Sequence, residues 1–204
     1  MKIICIGRNY CEHARELNNE IPKEPVIFMK PDSALLRNNE PFYIPDFSRD
    51  VHYECELIVR IKRLGKNIEA RFANRYYDEI GLGIDFTARD LQNKLKEKGL
   101  PWEKAKAFDC SAVISADFIP VPDLPELKSI KFQLKKNGEI VQHGDSALML
   151  FSVDELISQV STYFTLKIGD LIYTGTPAGV GPVAVGDRLE GFLEGQKMFD
   201  FEIK

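Results

Sequence analysis

Residues 51–61 alternate between apolar and polar positions, the pattern of a β-strand with one buried face. The apolar face consists of five side chains: Tyr53, Cys55, Leu57, Val59 and Ile61. The opposite face presents Glu54 and Glu56. Residues two apart on a strand lie about 6.5–7 Å apart on the same side, so two carboxylates there repel unless a positive charge lies nearby. An isolated pair of this kind is typical of a solvated face. Only the neighbouring sequence can indicate that Glu54 and Glu56 belong to a site instead.

A second strand pattern ends in another acidic residue. Residues 80–84 are apolar or glycine and lead into Asp85, after which Thr87 and Asp90 resemble a helix capping box. We predict a helix from there to about Lys98, because a glycine and a proline follow. Asp85 then lies where a strand gives way to a helix. Three carboxylates without histidine or cysteine favour a hard cation, namely Mg²⁺ with Mn²⁺ or Ca²⁺ as alternatives, over zinc.

A histidine and a glutamate share one face of a short predicted helix. Asn9 followed by Glu12 is an N-cap signature, which predicts a helix over residues 10–18. His13 and Glu16 are three residues apart and therefore neighbours on that helix. The residues alone leave two interpretations open, a surface ion pair or a base whose tautomer is fixed by its carboxylate.

The rest of the chain predicts many short strands and about four short helices. Further strands are predicted over residues 1–7, 26–30, 41–45, 111–114, 130–134, 140–143, 170–174, 188–193 and 197–203. Further helices are predicted over residues 69–78 and 153–163, the latter capped by Ser152 with Glu155. The Asn137-Gly138 dipeptide predicts a hairpin. This pattern indicates an α+β, β-rich fold with a mixed sheet and argues against a regular βαβ alternation.

Two further features have open roles at this stage. Lys30 ends a strand pattern, where it is either a surface charge or a contact for an anionic ligand. The glycine-rich turn over residues 175–182 lacks the ending of a phosphate-binding loop and is not followed by a helix pattern. It is either a plain turn or a place where backbone amides and the Thr176 hydroxyl approach a carboxylate.

Composition excludes several classes of protein. The 204 residues suit one domain, spanning 1–204, and the net charge of −4 gives no reason to expect nucleic acid or an anionic membrane as a partner. An apolar run of about 18 residues, as a membrane span requires, is absent. The four cysteines show no Cys-x-x-Cys pair, so we expect reduced thiols in a cytoplasmic protein.

Five ordered motifs run along nearly the whole chain. They are Gly7-Arg8-Asn9-Tyr10 with His13 and Glu16, Tyr53-Glu54 with Glu56-Leu57, Asp85 with Thr87-Ala88-Arg89-Asp90 and Gln92, Pro101-Trp102 with Ala105-Lys106, and Thr174-Gly175-Thr176-Pro177 with Gly179-Val180-Gly181-Pro182. Together they resemble the fumarylacetoacetate hydrolase family. The similarity is greatest to the small branch that contains acylpyruvate hydrolases and oxaloacetate decarboxylases.

This resemblance implies a fold, a partner and a set of site residues. The fold would be a mixed β-sandwich roll, in a homodimer with one divalent metal per subunit. The matching metal ligands are Glu54, Glu56 and Asp85. The matching catalytic residues are His13, Glu16 and Lys106, of which the first two lie on the family's closing lid. The matching substrate contacts are Arg8, Lys30, Arg89, Gln92 and Thr176.

The activity implied by the resemblance is Mg²⁺-dependent cleavage of a carbon–carbon bond in an acylpyruvate, a small 2-oxo acid, through a metal-bound pyruvate enolate. Decarboxylation of oxaloacetate and tautomerisation of a 2-oxo acid are alternatives at the same site. A non-catalytic, metal-stabilised binding module is an alternative of another class. A metal phosphohydrolase is a further alternative. The lack of a second cluster of carboxylates in the sequence argues against a two-metal enzyme of this kind.

Overall fold

Three β-sheets contain the strands of this computed structural model, which describes residues 1–16, 20–126 and 128–204. In chain order the strands are β1 (Ile3–Gly7), β2 (Val26–Lys30), β3 (Leu35–Leu36), β4 (Val51–Tyr53), β5 (Cys55–Ile61), β6 (Tyr77–Asp85), β7 (Thr87–Ala88), β8 (Ala112–Ile114), β9 (Ile119–Pro120), β10 (Lys131–Lys136), β11 (Glu139–Asp145), β12 (Leu171–Tyr173), β13 (Gly181–Pro182), β14 (Arg188–Leu193) and β15 (Gln196–Glu202).

Short helices connect these strands. The α-helices of the described residues are α1 (Cys11–Glu16), α2 (Arg89–Glu97), α3 (Glu103–Lys106) and α4 (Val153–Tyr163). Single turns of 3₁₀-helix occur at Asp32–Ala34, Val121–Asp123 and Ser146–Leu148, and a longer one at Ala70–Arg75. None of the helices within the described ranges is long and apolar enough to cross a membrane.

The largest sheet is mixed and has eight strands. Its order is β2-β1-β12-β5-β6-β8-β3, with β9 paired to β6. The β1–β12 and β3–β8 pairs are parallel and the other pairs are antiparallel. A four-stranded antiparallel sheet (β11-β10-β14-β15) and a three-stranded sheet (β13-β4-β7) complete the architecture. The predicted β-rich α+β class with a mixed sheet is therefore confirmed.

Both faces of the large sheet are buried. The five residues of the predicted apolar face all belong to the larger hydrophobic cluster, as the alternation predicted. Ile58, on the other face of β5, packs in a second cluster with Ile3 and Tyr173. A strand buried on both sides leaves no solvated face, so the glutamates next to Cys55 must find partners inside the protein.

The predicted strand over residues 51–61 is not continuous, because it breaks at Glu54. Before the break, β4 pairs with β7 and β13; after it, β5 pairs with β6 and β12. At the break the carbonyl of Glu54 accepts the backbone N–H of Asp85 at 2.8 Å. One run of alternating residues therefore serves two sheets, and the change of sheet brings Glu54 to the end of β6.

The capping box predicted at Thr87 and Asp90 is wrong. Thr87 lies in β7 and the helix begins only at Arg89, with no side-chain cap. The Thr87 hydroxyl donates to Glu54 at 3.0 Å, and the Asp90 carboxylate accepts from the Ser48 hydroxyl at 2.7 Å. Both side chains make long-range bonds that outweigh the local preference that the sequence suggested.

Asn9 also differs from its predicted role. Its carboxamide donates to the carbonyls of Phe151 (3.0 Å) and Thr174 (2.8 Å) and accepts the Phe151 N–H at 2.8 Å, joining distant segments rather than capping α1. The predicted end of this helix near residue 18 lies outside the described residues. The helix predicted over residues 69–78 is 3₁₀ rather than α and ends at Arg75, because β6 begins at Tyr77.

Other local predictions are confirmed. Ser152 and Glu155 form a full capping box at the start of α4. The turn between β10 and β11 has positive φ at both Asn137 (53°) and Gly138 (86°), as a two-residue hairpin turn requires.

We predict that Asn9→Ala lowers the free energy of unfolding by about 2–4 kcal/mol, because it leaves buried backbone groups without partners. Asn9 has no solvent-exposed surface. Denaturant unfolding would measure the loss, with Asn93→Ala on the exposed side of α2 as the control. Similar stabilities of the two variants would contradict the role assigned to Asn9.

Candidate active site

Three buried carboxylates meet at the junction of two sheets. Glu54 occupies the break before β5, Glu56 is the second residue of β5, and Asp85 ends β6. Each offers an oxygen that lies within 4.8 Å of the other two, and none of the three residues is more than 5% exposed. The structure thus brings the three predicted metal ligands together.

Two cations bind these carboxylates from the side of the cavity. The Lys106 ammonium lies 2.8 Å from Glu54 Oε2 and 2.6 Å from Asp85 Oδ2. Arg89 Nη2 lies 2.6 Å from Glu54 Oε1. Burial lowers the pKa of Lys106. The carboxylates of Asp85 and Glu54 outweigh burial and raise that pKa above its ordinary value. Lys106 is therefore a charged partner of the cluster and not a neutral base.

Lys30 lies behind Asp85 and not on the cavity wall. Its ammonium is 2.7 Å from Asp85 Oδ1 and its side chain has no exposed surface. It also donates to the Ser111 hydroxyl at 2.9 Å and to main-chain carbonyls of Lys106 and Ser111. The structure therefore does not bring Lys30 to the cavity where the resemblance placed a substrate contact.

The cations are shared unevenly, so the carboxylates differ in acidity. Burial raises the pKa of Glu54, but Lys106 and Arg89 outweigh burial and hold that pKa well below its ordinary value. Burial, together with the charges of Asp85 and Glu54, raises the pKa of Glu56 well above its ordinary value. Glu56 has no cation within 4 Å among the described residues; its Oε2 accepts only the backbone N–H of Gly175, at 2.7 Å.

This donor set fits a hard divalent cation. Oxygen ligands from several carboxylates are what Mg²⁺, Mn²⁺ and Ca²⁺ prefer. The cluster lacks positive charge at Glu56, which has no cation within 4 Å in the described ranges of the chain. Glu54, Glu56 and Asp85 are the residues that would hold the ion.

His13 and Glu16 lie at the same cavity, on α1. His13 is 5% exposed and lines the cavity together with the three carboxylates. Its Nδ1 lies 3.3 Å from Glu16 Oε2, which leaves Nε2 free of this contact. Burial lowers the pKa of His13, and the nearby carboxylates Glu54 and Glu16 only partly offset it. The imidazole is thus neutral at pH 7 and able to accept a proton.

The turn after β12 holds both Glu16 and Glu56. The Gly179 N–H donates to Glu16 Oε1 at 3.0 Å, as the Gly175 N–H does to Glu56. The Thr176 hydroxyl donates to the Cys55 carbonyl at 2.8 Å and accepts from Gln142 at 2.8 Å. The predicted approach of backbone amides to a carboxylate is therefore present, but the carboxylates belong to the protein.

The remaining predicted residues line the same cavity. Arg8, Arg89, Gln92 and Thr176 all border it. Arg89 Nη1 donates to the Gln92 carbonyl oxygen at 2.7 Å, so the Gln92 amide N–H groups remain available. The Nε atoms of Arg8 and Arg89 are buried and have no partner in the described part of the protein.

The sequence analysis gave no site role to four side chains that line this cavity, namely Ile6, Phe28, Lys96 and Trp102. Lys96 had a signal that could have revealed it, because Arg89, Gln92 and Lys96 have the i, i+3, i+7 spacing of one helical face. Phe28 had no such signal, since it is one apolar residue of a strand.

A sequence model of the fumarylacetoacetate (FAA) hydrolase C-terminal family matches residues 2–202. The chain belongs to the fumarylacetoacetate hydrolase family. The mouse protein named oxaloacetate tautomerase FAHD1, mitochondrial, is 41% identical over 202 residues, which cover 99% of this chain and 91% of that protein. A Dictyostelium discoideum protein named oxaloacetate decarboxylase, mitochondrial, is 42% identical over 95% of this chain and 89% of its own length.

A solved structure of the family is similar over the whole chain. The crystal structure of fumarylpyruvate hydrolase from Pseudomonas aeruginosa, in complex with Mn²⁺ and pyruvate, superposes with a TM-score of 0.93 at 35% identity. The match covers 100% of this chain and 89% of that one. The predicted family and its fold are thus confirmed, and the named relatives in this family are enzymes.

Because Glu56 lacks a cation, we predict that Glu56→Gln leaves the metal-free protein at least as stable as the wild type at pH 7. The folded protein keeps a proton on Glu56 above the ordinary pKa of 4.5, so wild-type stability falls as pH rises from there. In thermal melts with EDTA, the melting temperature of the variant should exceed that of the wild type by an amount that grows from pH 5 to pH 8. Its rise in melting temperature with Mn²⁺ or Mg²⁺ should be largely lost.

We predict the opposite for Asp85→Asn. It leaves the buried Lys30 ammonium without its carboxylate, which costs about 3–5 kcal/mol when one partner of a buried pair is removed. The same metal-free melts compare it with Glu56→Gln. If both variants lose equal stability, the uneven sharing of cations described above is wrong.

Proposed function

We propose that the protein is a divalent-metal-dependent enzyme that moves a proton between carbon and oxygen in small 2-oxo acids, with keto–enol tautomerisation of oxaloacetate as its reaction. One observation carries this proposal: His13, which is buried and whose pKa burial lowers, lines the cavity that contains the three carboxylates. A base with a pKa near or below neutrality, held next to a cation site, is suited to proton transfer beside a carbonyl.

The metal supplies Lewis-acid stabilisation of the negative charge that develops on the 2-oxo acid oxygens. We propose Mg²⁺ as the ion, with Mn²⁺ as an alternative because it is present in the related fumarylpyruvate hydrolase. Lys106 remains charged beside Glu54 and Asp85, and its ammonium adds positive charge at the same place. A fixed positive environment lowers the barrier to forming an enolate.

His13 is the proton carrier in this proposal. Its Nδ1 faces Glu16, which orients the ring, so Nε2 accepts the proton of the enol hydroxyl. The proton is then delivered to C3, where the electron pair of the carbon–carbon double bond forms the new C–H bond as the carbonyl forms. No atom is gained or lost, and His13 returns to its neutral form.

The names of the relatives support this order of preference. Proteins named oxaloacetate tautomerase and oxaloacetate decarboxylase are 41% and 42% identical to this chain, against 35% for the fumarylpyruvate hydrolase. The sequence motifs led us to prefer acylpyruvate hydrolysis, which we keep as the second candidate because His13 could equally draw a proton from an attacking water. The homodimer, the single domain and the cytoplasmic location stay predictions.

We predict that His13→Ala lowers the rate of oxaloacetate tautomerisation by about 10²–10⁴-fold, the usual contribution of a general base. Loss of the enol absorbance would measure the rate, with and without Mg²⁺. Glu16→Gln should follow more mildly, while Glu12→Gln on the exposed side of α1 serves as its control. A His13→Ala variant with full activity in Mg²⁺ would overturn the proposal, and no turnover of any 2-oxo acid by the wild type would favour a binding module.

The pH dependence gives an independent test. Because burial lowers the pKa of His13 below 6.5, the imidazole stays unprotonated through pH 7. We predict that kcat/KM is flat near neutrality and falls only below about pH 6.5, as the free enzyme takes up a proton on His13. An acid limb above pH 7 would contradict this assignment.

A comparison of substrates separates tautomerisation from hydrolysis. Wild-type protein would be incubated with acetylpyruvate and with fumarylpyruvate, and released pyruvate followed. Cleavage of either at a higher kcat/KM than tautomerisation of oxaloacetate would place hydrolysis first. Decarboxylation of oxaloacetate needs no proton acceptor for its carbon–carbon bond cleavage, so it should lose less in His13→Ala than either other reaction.

A further inference from the structure

One face of α2 points along the cavity wall. Arg89, Gln92 and Lys96 all line the cavity, and they are separated by three and four residues. Residues with that spacing lie above one another on a helix. The first two are predicted substrate contacts, so Lys96 extends the same row by one turn, about 5–6 Å further along the helix.

The basic residues of the cavity differ in whether a carboxylate binds them. Four basic side chains line the cavity: Arg8, Arg89, Lys96 and Lys106. Arg89 and Lys106 are bound to the metal-site carboxylates. By contrast, no carboxylate oxygen from residues 1–16, 20–126 or 128–204 lies within 4 Å of Arg8 or Lys96. The cavity therefore contains two cations whose charge the described protein leaves unmatched.

Arg8 has a hydrogen-bond donor at the cavity that the described part of the protein leaves without a partner. This donor is its Nε, which is buried. A buried donor without a partner is costly, and such groups are uncommon in folded proteins. Its backbone also has a positive φ of 60°, which is unusual for a residue with a side chain.

Lys96 is held in place over an aromatic surface. Its ammonium lies 5.5 Å from the centre of the Trp102 ring, which in turn lies 5.9 Å from the Phe28 ring. The side chain is half-buried, unlike Lys94 and Lys98 of the same segment, which are exposed. Burial, together with the charges of Arg89 and Arg8, lowers the pKa of Lys96 to about 8. Gathering cations in this way opposes folding unless an anion binds between them.

We propose that Lys96, together with Arg8, binds the second carboxylate of a dicarboxylic 2-oxo acid and so determines the substrate class of the site. This inference rests on the proposed function, in which the 2-oxo acid end lies at the carboxylate cluster. The second carboxylate then lies at the end of the cavity formed by Arg8, Lys96 and Trp102. Substrates whose far end is a methyl group leave both cations unmatched.

A matched pair of ligands tests this without requiring turnover. 2-Oxoglutarate and 2-oxopentanoate have the same five carbons and the same 2-oxo acid end, and they differ only in a carboxylate against a methyl group at the far end. Their dissociation constants would be measured by calorimetry on the Mn²⁺-loaded protein. The variants are Lys96→Gln and Lys96→Arg, with Lys94→Gln as the exposed control on the same helix.

We expect the wild type and Lys94→Gln to bind the dicarboxylate more tightly than the monocarboxylate. Lys96→Gln should weaken the binding of 2-oxoglutarate by about 10–100-fold, the usual effect of losing a charge-assisted hydrogen bond. The dissociation constant of 2-oxopentanoate should change by less than about twofold. Lys96→Arg should restore most of the preference. Equal weakening of both ligands, or no change in either, would mean that Lys96 only packs on Trp102, and would overturn the inference.

Kinetics and pH give a second readout. With oxaloacetate, Lys96→Gln should raise KM by a larger factor than it lowers kcat, because Lys96 binds the second carboxylate and neither gives nor takes the transferred proton. The preference for the dicarboxylate should fall as pH rises through about 8, where Lys96 loses its proton. The other charged or titratable groups that face the same space are Arg8, Arg89, Lys106, His13 and the three carboxylates of the cluster. Lys96→Arg should remove this pH dependence.

Failure of the inference can be told apart from failure of the proposed function. If the wild type binds neither acid with Mn²⁺ present and turns over no 2-oxo acid, the proposed function fails and the inference fails with it. If the wild type binds and turns over 2-oxo acids but Lys96→Gln shows no loss specific to the dicarboxylate, only the inference fails.

Discussion

The enclosure of Glu54, Glu56 and Asp85 within 4.8 Å of one another is the constraint on which the rest of the site depends. Three like charges removed from water would be very costly without compensation. The fold supplies three cations, Lys30, Lys106 and Arg89, so the buried charges balance formally. They do not balance locally, because all three bind Glu54 or Asp85 and none binds Glu56. The protein's own cations therefore compensate Glu54 and Asp85, and Glu56 is the carboxylate that would gain most from a positive ion.

This uneven distribution gives the two lysines different roles. Lys30 is sealed behind Asp85 and fixes that carboxylate from the side away from the cavity. Lys106 contacts Glu54 and Asp85 from the cavity side and lines the cavity itself. Gly83 contributes to the arrangement, since a Cβ there would meet the Val113 carbonyl at 2.0 Å and push β8 away from β6.

The sequence predicted those parts of the protein that depend on local pattern. The alternation over residues 51–61 identified the core face, and the three carboxylates that the resemblance gave as metal ligands are the ones that the structure brings together. It could not reveal that the strand breaks at Glu54, because the break depends on pairing with two different sheets. It left the role of Lys30 open, since only the folded structure shows that this lysine meets Asp85. The helical spacing could have indicated Lys96, but a lysine two turns into a polar helix is usually solvent-exposed.

The turn after β12 connects the proposed base to the proposed metal ligands. Gly175 and Gly179 donate their N–H groups to Glu56 and Glu16, so one short segment holds a carboxylate of the candidate metal site and the carboxylate that contacts His13. Both glycines have positive φ, and a Cβ would meet Asn9 Cβ at 2.7 Å or the Val141 carbonyl at 2.4 Å. Side chains are thus excluded for two separate reasons at each position. Because the same turn fixes both carboxylates, a shift of this turn would move Glu56 and Glu16 together. The position of the proposed base relative to the candidate metal site is therefore set by the fold and not by one helix or strand alone.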